Sequence, residues 1–297
     1  MTEITLLDGG MGQELVHRAG DRPTPLWSTQ IMIDHPGLVA EVHTDFFVAG
    51  ATIATTNSYA IHLDRLKRTE MEGKFNDLHA MAMAEAQMAK TAHGSGRIAG
   101  SIGPLGASYR PDLHSESDVA VPLFEQVAAQ LAEGSDLFIA ETVVSVAHAR
   151  DMLAALLPFG KPVWLAVTVQ DTDGTRLRSG EPLSDIIPIA QKGAAAVLIN
   201  CCTPEVIPAG LDILKDAGLP FGAYANGFEK ISEGFLQDAP TVDALSQRRD
   251  FTPALYADHV MNWVGQGATL VGGCCEVSPA HIAEIANRLR VSGHQIV

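Results

Sequence analysis

The chain has 297 residues, of which 46% are hydrophobic and 19% charged, with a formal net charge of −15 at pH 7. This composition provides ample apolar material for a core, and the acidic balance argues against nucleic acid as the main partner. No apolar run approaches the roughly 18 residues of a membrane span, so we expect no membrane partner. The first residues carry an early acid, Glu3, and lack the basic start of a signal peptide, which predicts a cytoplasmic protein.

Short apolar strands alternate with helical patterns along the chain. A first strand from Thr5 runs into the turn Asp8-Gly9-Gly10-Met11-Gly12, a helical pattern over 36–50 follows, and a strand over 51–56 ends at Asn57-Ser58-Tyr59. Each later strand is also followed by a helical pattern, and these strands are predicted to begin at Ile98, Leu137, Val163, Ala195, Phe221 and Ala268.

Eight strand–helix units in strict alternation indicate the fold class. Strands that are apolar throughout are typical of a parallel sheet whose outer face is covered, and eight such strands close a (β/α)8 TIM-type barrel. No linker interrupts the pattern, so we predict one α/β domain over 1–297. The longest irregular stretches, 109–118, 170–181 and 227–250, each follow a strand and are candidate lids or walls of a substrate site.

All four cysteines lie in two adjacent pairs at predicted strand ends. Cys201-Cys202 follows the strand that ends at Asn200, and Cys274-Cys275 follows Gly272-Gly273. Ligands bind at this end of barrel strands, and in a reducing compartment such thiols are metal ligands or catalytic groups rather than disulfides. Three thiolates with one open position are typical of catalytic zinc, whereas structural zinc has four protein ligands. The alternative is that all four are small buried hydrophobic side chains.

The position of each cysteine favours three of them as ligands. Glycines before Cys274 and Cys275 can bend the strand end so that both point to the axis, and Cys201 stands nearer its strand than Cys202, which we expect to pack at a helix start. Carboxylates are also available at strand ends, from Asp8 and Glu141. The glycines after Asp8 fit neither GxxxxGK[ST] nor GxGxxG, so a tight turn is favoured over a phosphate loop.

These motifs together resemble the zinc-dependent homocysteine S-methyltransferase family, of the single-barrel type that uses S-methylmethionine or S-adenosylmethionine. The resemblance covers nearly the whole chain, but the usual Tyr-Pro-Asn is here Tyr224-Ala225-Asn226, which leaves the donor open. The motifs that carry it are Asp8-Gly9-Gly10-Met11-Gly12, Pro25-Leu26-Trp27-Ser28, Thr56-Asn57-Ser58-Tyr59, Gly103-Pro104-Leu105-Gly106-Ala107, Asn200-Cys201, Tyr224-Ala225-Asn226-Gly227 and Gly272-Gly273-Cys274-Cys275 with Pro279-Ala280-His281-Ile282.

The resemblance implies a set of site residues. A Zn2+ cofactor is held by Cys201, Cys274 and Cys275, with the homocysteine thiol at the open position. The substrate ammonium lies at the carboxylates of Asp8 and Glu141, although an acid at a helix start remains the alternative for Glu141. The other implied substrate-binding residues are Gly9, Gly10 and Asn200, and Trp27 and Tyr59 as aromatic groups near the methyl donor.

The implied reaction belongs to methionine biosynthesis. Zinc activates the homocysteine thiolate, which attacks the methyl group of a sulfonium donor, S-methylmethionine or S-adenosylmethionine, and forms methionine. One alternative keeps the enzyme class and changes the donor to betaine or dimethylsulfoniopropionate, or the acceptor to a selenol. The other is a non-catalytic barrel with a structural zinc. The expected partners are small-molecule substrates, and the oligomeric state is left open.

Overall fold

The computed structural model describes residues 2–20, 27–67, 69–229, 231 and 246–297. Eight parallel strands form its central sheet, and their hydrogen-bonded order is β1-β8-β7-β6-β5-β4-β3-β2. The predicted parallel α/β barrel is thus confirmed. Its strands are β1 Glu3–Leu6, β2 Ile53–Thr55, β3 Arg97–Ile102, β4 Leu137–Val143, β5 Val163–Val167, β6 Ala196–Asn200, β7 Phe221–Tyr224 and β8 Leu270–Val271.

A ninth parallel strand, Gln295–Ile296, lies beside β1 and pairs with Glu3 and Ile4. At the same seam β1 meets β2 through the Thr52 N–H, which donates to the Leu6 carbonyl at 2.7 Å. The Thr52 hydroxyl donates to the Val297 carbonyl, also at 2.7 Å. The sequence did not predict the ninth strand, because two residues are too short to show a strand periodicity.

The barrel strands are buried on both faces, which explains their near-continuous apolar composition. In β5, Val163, Leu165 and Val167 pack into the layer beneath the helices, whereas Trp164 and Ala166 point into the barrel. The inward set also includes Leu198 of β6 and Tyr224 of β7, and the Cys274 side chain packs against it. The barrel interior is therefore a filled core, and its upper end lies directly below the cysteines.

Helices cover the outer face of the sheet, and their ends follow ordinary capping chemistry. Leu38–Ala49 ends at Gly50, whose φ of 114° is readily adopted by glycine, and Pro279–Val291 begins with Pro279 after a Ser278 capping box. The other helices are Met11–Ala19, Ser28–Asp34, Leu63–Leu66, Phe75–His93, Ser117–Leu131, Val146–Leu156, Ile187–Ala190, Ile207–Leu214 and Pro253–Gly265, with 3-10 turns at Glu72–Lys74, Pro111–Leu113, Leu157–Phe159, Leu183–Ile186 and Lys215–Ala217.

Two of the stretches predicted to be irregular contain regular structure, since 109–118 includes the 3-10 turn Pro111–Leu113 and the first residues of the helix Ser117–Leu131. The stretch 170–181, which we expected to be irregular, takes part in a hairpin in which Val169–Gln170 pairs antiparallel with Asp173–Leu177. Most of the predicted loop 227–250 lies outside the described residues, as do Pro25 and Leu26. None of the described helices has both the length and the apolar character needed to cross a membrane.

Candidate active site

The carboxyl ends of β6 and β8 bring one cysteine of each pair together. The sulfur atoms of Cys201 and Cys274 are joined as a disulfide, with their Cα atoms 5.9 Å apart. This pairing differs from the expected free thiols, and it arises because β6 and β8 flank β7 and direct the two side chains at one point. Cys275 is a free, half-buried thiol next in the chain, and Cys202 is a free thiol buried in the hydrophobic core.

The backbone around these cysteines is tightly constrained. Cys201 has a φ of 52°, a left-handed conformation that is uncommon for residues other than glycine. The Cys274 N–H donates to the Ala225 carbonyl at 2.9 Å, and the Gly273 N–H donates to the Asp8 carbonyl at 2.9 Å. A Cβ atom at Gly272 would lie only 2.6 Å from the Leu7 Cβ. Gly272 is therefore required, because a larger residue there would prevent the end of β8 from packing beside the residues that follow β1.

Burial controls the protonation of the two free thiols. It raises the pKa of Cys202 to about 12 and that of Cys275 also to about 12, with the negative charge of Glu276 adding to the effect at Cys275. Both groups are consequently neutral thiols at pH 7. A thiolate at Cys275 requires a nearby positive charge, such as a coordinating metal ion.

Asp8 provides a buried carboxylate at the end of β1. Its Oδ2 accepts the Thr55 N–H at 2.6 Å and its Oδ1 accepts the Thr55 hydroxyl at 2.7 Å. Burial is the main cause that raises its pKa to about 7, and the charge of Glu141 raises it further, whereas the Thr55 hydrogen bonds lower it. His43 lies 3.9 Å from Asp8 Oδ2, but burial lowers the pKa of His43 to about 3, so it is a neutral neighbour.

Glu141 provides a second carboxylate at the end of β4. Its Oε1 accepts the Ser101 hydroxyl at 2.5 Å, and its Oε2 accepts the Tyr224 hydroxyl at 3.0 Å. Burial raises the pKa of Glu141, and both hydrogen bonds lower it. The charge of Glu141 is one of the causes that raise the pKa of Asp8, and a cation bound near both carboxylates would stabilise their charged forms. Ser101 and Tyr224 were not among the predicted site residues.

Asn200, the last residue of β6, links that strand to Thr142 near the end of β4. Its Oδ1 accepts the Thr142 N–H at 3.1 Å, and its Nδ2 lies 3.3 Å from the Thr142 hydroxyl and 3.4 Å from the Cys201 sulfur. Thr142 itself has a φ of 55°. In this structure Asn200 therefore positions the backbone after Glu141 and contacts the Cys201 sulfur.

Trp27 and Tyr59 form an aromatic pair, with ring centroids 6.4 Å apart and ring planes nearly perpendicular. The Tyr59 hydroxyl bonds to the Ser108 hydroxyl at 2.8 Å, and the Arg65 guanidinium lies 5.8 Å from the centre of the Tyr59 ring. The Trp27 indole N–H donates to Gln13 Oε1 at 3.1 Å. The two predicted aromatic residues are thus brought together and fixed by polar partners.

Further residues near the cysteines were missed by the sequence reasoning. Arg178 follows the hairpin, binds both carboxylate oxygens of Asp171 at 2.9 and 2.7 Å, and lies 3.5 Å from the Cys201 carbonyl. Its guanidinium is also 5.2 Å from the centre of the Tyr109 ring. Glu276 is a buried carboxylate directly after Cys275. Its position next to Cys275, a predicted metal ligand, could have indicated from the sequence that Glu276 lies near the site.

The cysteine side chains at this end of the barrel are candidate ligands for a metal ion. While Cys201 and Cys274 are joined, no group of three or more His, Cys, Asp or Glu side chains in the described part of the chain is arranged to hold an ion. The donor chemistry nevertheless suits zinc, since two sulfur atoms already meet and a third thiol follows in the chain at Cys275. Zinc binding by these three cysteines would require the disulfide to be reduced.

Comparison with known proteins identifies the class to which this fold and site belong. Residues 5–289 match the family model described as homocysteine S-methyltransferase. The homocysteine S-methyltransferase of Escherichia coli is 32% identical over 96% of this chain and 95% of its own, and that of Bacillus subtilis, YbgG, is 28% identical over 95% and 93%. Crystal structures of the E. coli homocysteine methyltransferase MmuM, metallated and oxidised, each superpose with a TM-score of 0.80 at 28% identity, covering 96% of both chains.

The chain belongs to the homocysteine S-methyltransferase family. The enzyme class predicted from the sequence, a methyltransferase that acts on homocysteine, is confirmed by this membership, as is the TIM-type barrel.

Proposed function

We propose that this protein transfers a methyl group from a sulfonium donor, S-methylmethionine or S-adenosylmethionine, to the thiol of homocysteine. The observation that carries the proposal is the meeting of the Cys201 and Cys274 sulfur atoms at the carboxyl end of the barrel strands, where Asp8 follows β1 and Glu141 lies in the last part of β4. Thiol groups suit a metal that binds the substrate sulfur, and two carboxylates suit the substrate ammonium.

Zinc is the proposed cofactor, held by Cys201, Cys274 and Cys275 in the reduced protein. When bound, it would lower the pKa of the homocysteine thiol and so supply a thiolate nucleophile at neutral pH. Glycine at position 272 and the hydrogen bond from the Cys274 N–H to the Ala225 carbonyl fix the backbone that presents two of these ligands.

The carboxylates of Asp8 and Glu141 hold the substrate ammonium in this proposal. Thr55 orients Asp8, and Ser101 and Tyr224 orient Glu141, so both carboxylates are placed before the substrate binds. Fixing the amino-acid end of homocysteine places its sulfur for in-line attack on the donor methyl group, which lowers the entropic part of the barrier.

Methyl transfer forms a bond from the homocysteine sulfur to the methyl carbon and breaks the bond from that carbon to the donor sulfur. The donor leaves as a neutral thioether with the bonding electron pair, and the product is methionine. Because a thiolate and a cation become two neutral molecules, exclusion of water favours the reaction more than acid or base groups do. Trp27 and Tyr59 offer aromatic faces to the cationic donor.

The pH dependence of homocysteine binding follows from Asp8. Since its pKa is raised to about 7, the group is a carboxylate above that pH and is increasingly protonated below it. A protonated carboxyl binds an ammonium weakly, so the KM for homocysteine should rise as the pH falls below about 7, approaching tenfold per pH unit. Measurement of this KM between about pH 5.5 and 8.5 checks the expectation.

The variant Asp8→Asn is the control for this pH profile. It should have a high KM for homocysteine with no inflection near pH 7, because the titrating group is gone. The raised pKa also means that the ligand-free folded state binds the extra proton, so its stability falls as the pH rises from about 4 to 7. A wild-type KM that stays flat across this range would reject the assigned role of Asp8.

A donor panel tests the proposed function. Reduced, zinc-loaded protein is incubated with homocysteine and with S-methylmethionine, S-adenosylmethionine, betaine, dimethylsulfoniopropionate or methyl-folate, and methionine is measured. We expect product with at least one of the first two donors. Product only with betaine, dimethylsulfoniopropionate or methyl-folate would reject a donor of the proposed kind, and no product with any donor despite bound zinc would favour a structural metal site. A parallel assay with a selenol acceptor tests the alternative acceptor.

A further inference from the structure

Glu276 is a buried carboxylate next to a proposed metal ligand, Cys275. It is 8% exposed and has a φ of 67°, a left-handed backbone conformation. Its Oε1 accepts a hydrogen bond from Gln13 Nε2 at 2.5 Å, and its Oε2 accepts one from Gln247 Nε2 at 2.6 Å. The His17 imidazole Nε2 lies 3.3 Å from Oε2. Amide donors hold a carboxylate in place without neutralising its charge.

Gln13 connects this carboxylate to Trp27. Its Nε2 group donates to Glu276, and its Oε1 accepts the indole N–H of Trp27 at 3.1 Å. The side-chain amide is therefore held in one orientation, because a flipped amide would place its oxygen against the carboxylate and its NH2 against the indole N–H. Glu276 thus determines which way the Gln13 oxygen points, and the Gln13 oxygen determines where the indole N–H points.

The position of the indole is restricted on its other sides as well. A Cβ atom at Gly12 would lie 2.6 Å from Cη2 of Trp27, so the ring packs directly against the first turn of the helix Met11–Ala19. Trp27 has a φ of 47°, a conformation that costs energy for a residue with a large side chain. Its ring then meets Tyr59 edge to face at 6.4 Å.

We propose that Glu276 is a positioning residue for the methyl donor: through Gln13 it fixes the Trp27 indole opposite Tyr59, and its negative charge favours an onium donor. The inference rests on the proposed function, because it takes the Trp27 and Tyr59 pair as the donor side of the site. Glu276 is buried, and its charge raises the pKa of the neighbouring Cys275 thiol, so this charge acts inside the protein rather than in bulk solvent.

Two variants separate the effect of the Glu276 charge from that of the hydrogen bonds through Gln13. Glu276→Gln removes the charge and keeps an oxygen that accepts from Gln13, whereas Gln13→Leu removes the amide between the carboxylate and the indole. Glu14→Gln is the matched control, because Glu14 lies next to Gln13 on the helix Met11–Ala19 but forms an ion pair with Arg18 at 2.8 Å. All three are assayed as reduced, zinc-loaded protein with the sulfonium donor and homocysteine varied in turn.

We expect Gln13→Leu to raise the KM for the sulfonium donor by about fivefold, within the range of a cation–π contact, and Glu276→Gln to raise it by about the same factor because a charge attraction is lost. The KM for homocysteine should change by less than about twofold in both variants. Glu14→Gln should leave both KM values unchanged. A donor KM within about twofold of wild type in Glu276→Gln overturns the inference. An equal rise of both KM values also overturns it, because that result indicates a general disturbance of the site.

Acrylamide quenching of tryptophan fluorescence tests the positioning without any turnover. Trp164 is 6% exposed and Trp263 is fully buried, so the quencher acts mainly on Trp27. In Gln13→Leu the freed indole should be quenched more strongly than in wild type, and Glu14→Gln should match wild type. Unchanged quenching in Gln13→Leu overturns the positioning role. If wild-type protein uses no sulfonium donor, the proposed function fails by that separate result, and quenching still decides the positioning.

Discussion

Replacement of Cys201 by serine should remove bound zinc and lower methyl transfer by on the order of 10³-fold or more, because the site loses one of three thiolate ligands and with it the activation of the substrate thiol. The structure places the Cys201 sulfur against that of Cys274, and Cys201 occupies a constrained left-handed position that serine can adopt as well as cysteine. The measurement is zinc per chain after reduction and metal loading, together with methionine formed.

Cys202→Ala is the matched control for this loss. Cys202 is buried in the hydrophobic core, so alanine removes its sulfur without leaving an unpaired hydroxyl there. This variant should retain zinc and activity, with a moderate loss of stability from the small cavity. If Cys202→Ala loses zinc as completely as Cys201→Ser, the four cysteines form a closed structural site and the catalytic proposal is wrong.

The second large effect is expected at Glu141. Glu141→Gln should retain zinc but raise the KM for homocysteine by about 10- to 100-fold, because a charged hydrogen bond to the substrate ammonium is lost. Ser101 and Tyr224 both donate to this carboxylate, so its oxygens are oriented before the substrate arrives. Steady-state kinetics with homocysteine varied at saturating donor, alongside zinc analysis, give the two values.

A second buried glutamate provides the control for general destabilisation. Glu85 accepts hydrogen bonds from the backbone N–H groups of Gly37 and Ala40 on the outer layer of helices, and belongs to no part of the proposed site. Glu85→Gln should lower the free energy of unfolding by about 1–3 kcal/mol and leave the KM for homocysteine unchanged. Unaltered saturation by homocysteine in Glu141→Gln would contradict an ammonium-binding role.

The fold was predictable because its signals are local. A strand buried on both faces, such as Val163–Val167, has an uninterrupted apolar sequence, and Gly50 marks the end of a helix by a backbone conformation that favours glycine. The hairpin after β5 was missed because its first strand has two residues and its second is mostly polar. Such strands carry no periodicity that distinguishes them from a loop.

The site was predictable only where chemistry and strand ends coincide. Cysteines that follow two strands, and acids at or near the ends of two others, are predictable as site residues because ligands bind at the carboxyl ends of barrel strands. The partners of Glu141 could not be predicted, because Ser101 and Tyr224 lie 40 and 83 residues away in the chain and their approach depends on the register of the sheet. The disulfide had no sequence signal either, since which of the four sulfur atoms meet is decided by backbone direction at Cys201 and Gly273.

The pairing of the first strand affects how the chain folds as it leaves the ribosome. Thr5 of β1 pairs with Leu270 of β8, about 265 residues later, and Glu3 pairs with Gln295 later still. During synthesis β1 therefore emerges first, and although Thr52 beside β2 can reach it early, the edge that pairs with the last strands stays exposed for most of translation. Such late contacts slow folding, and we expect nascent chains to depend on protection of this segment.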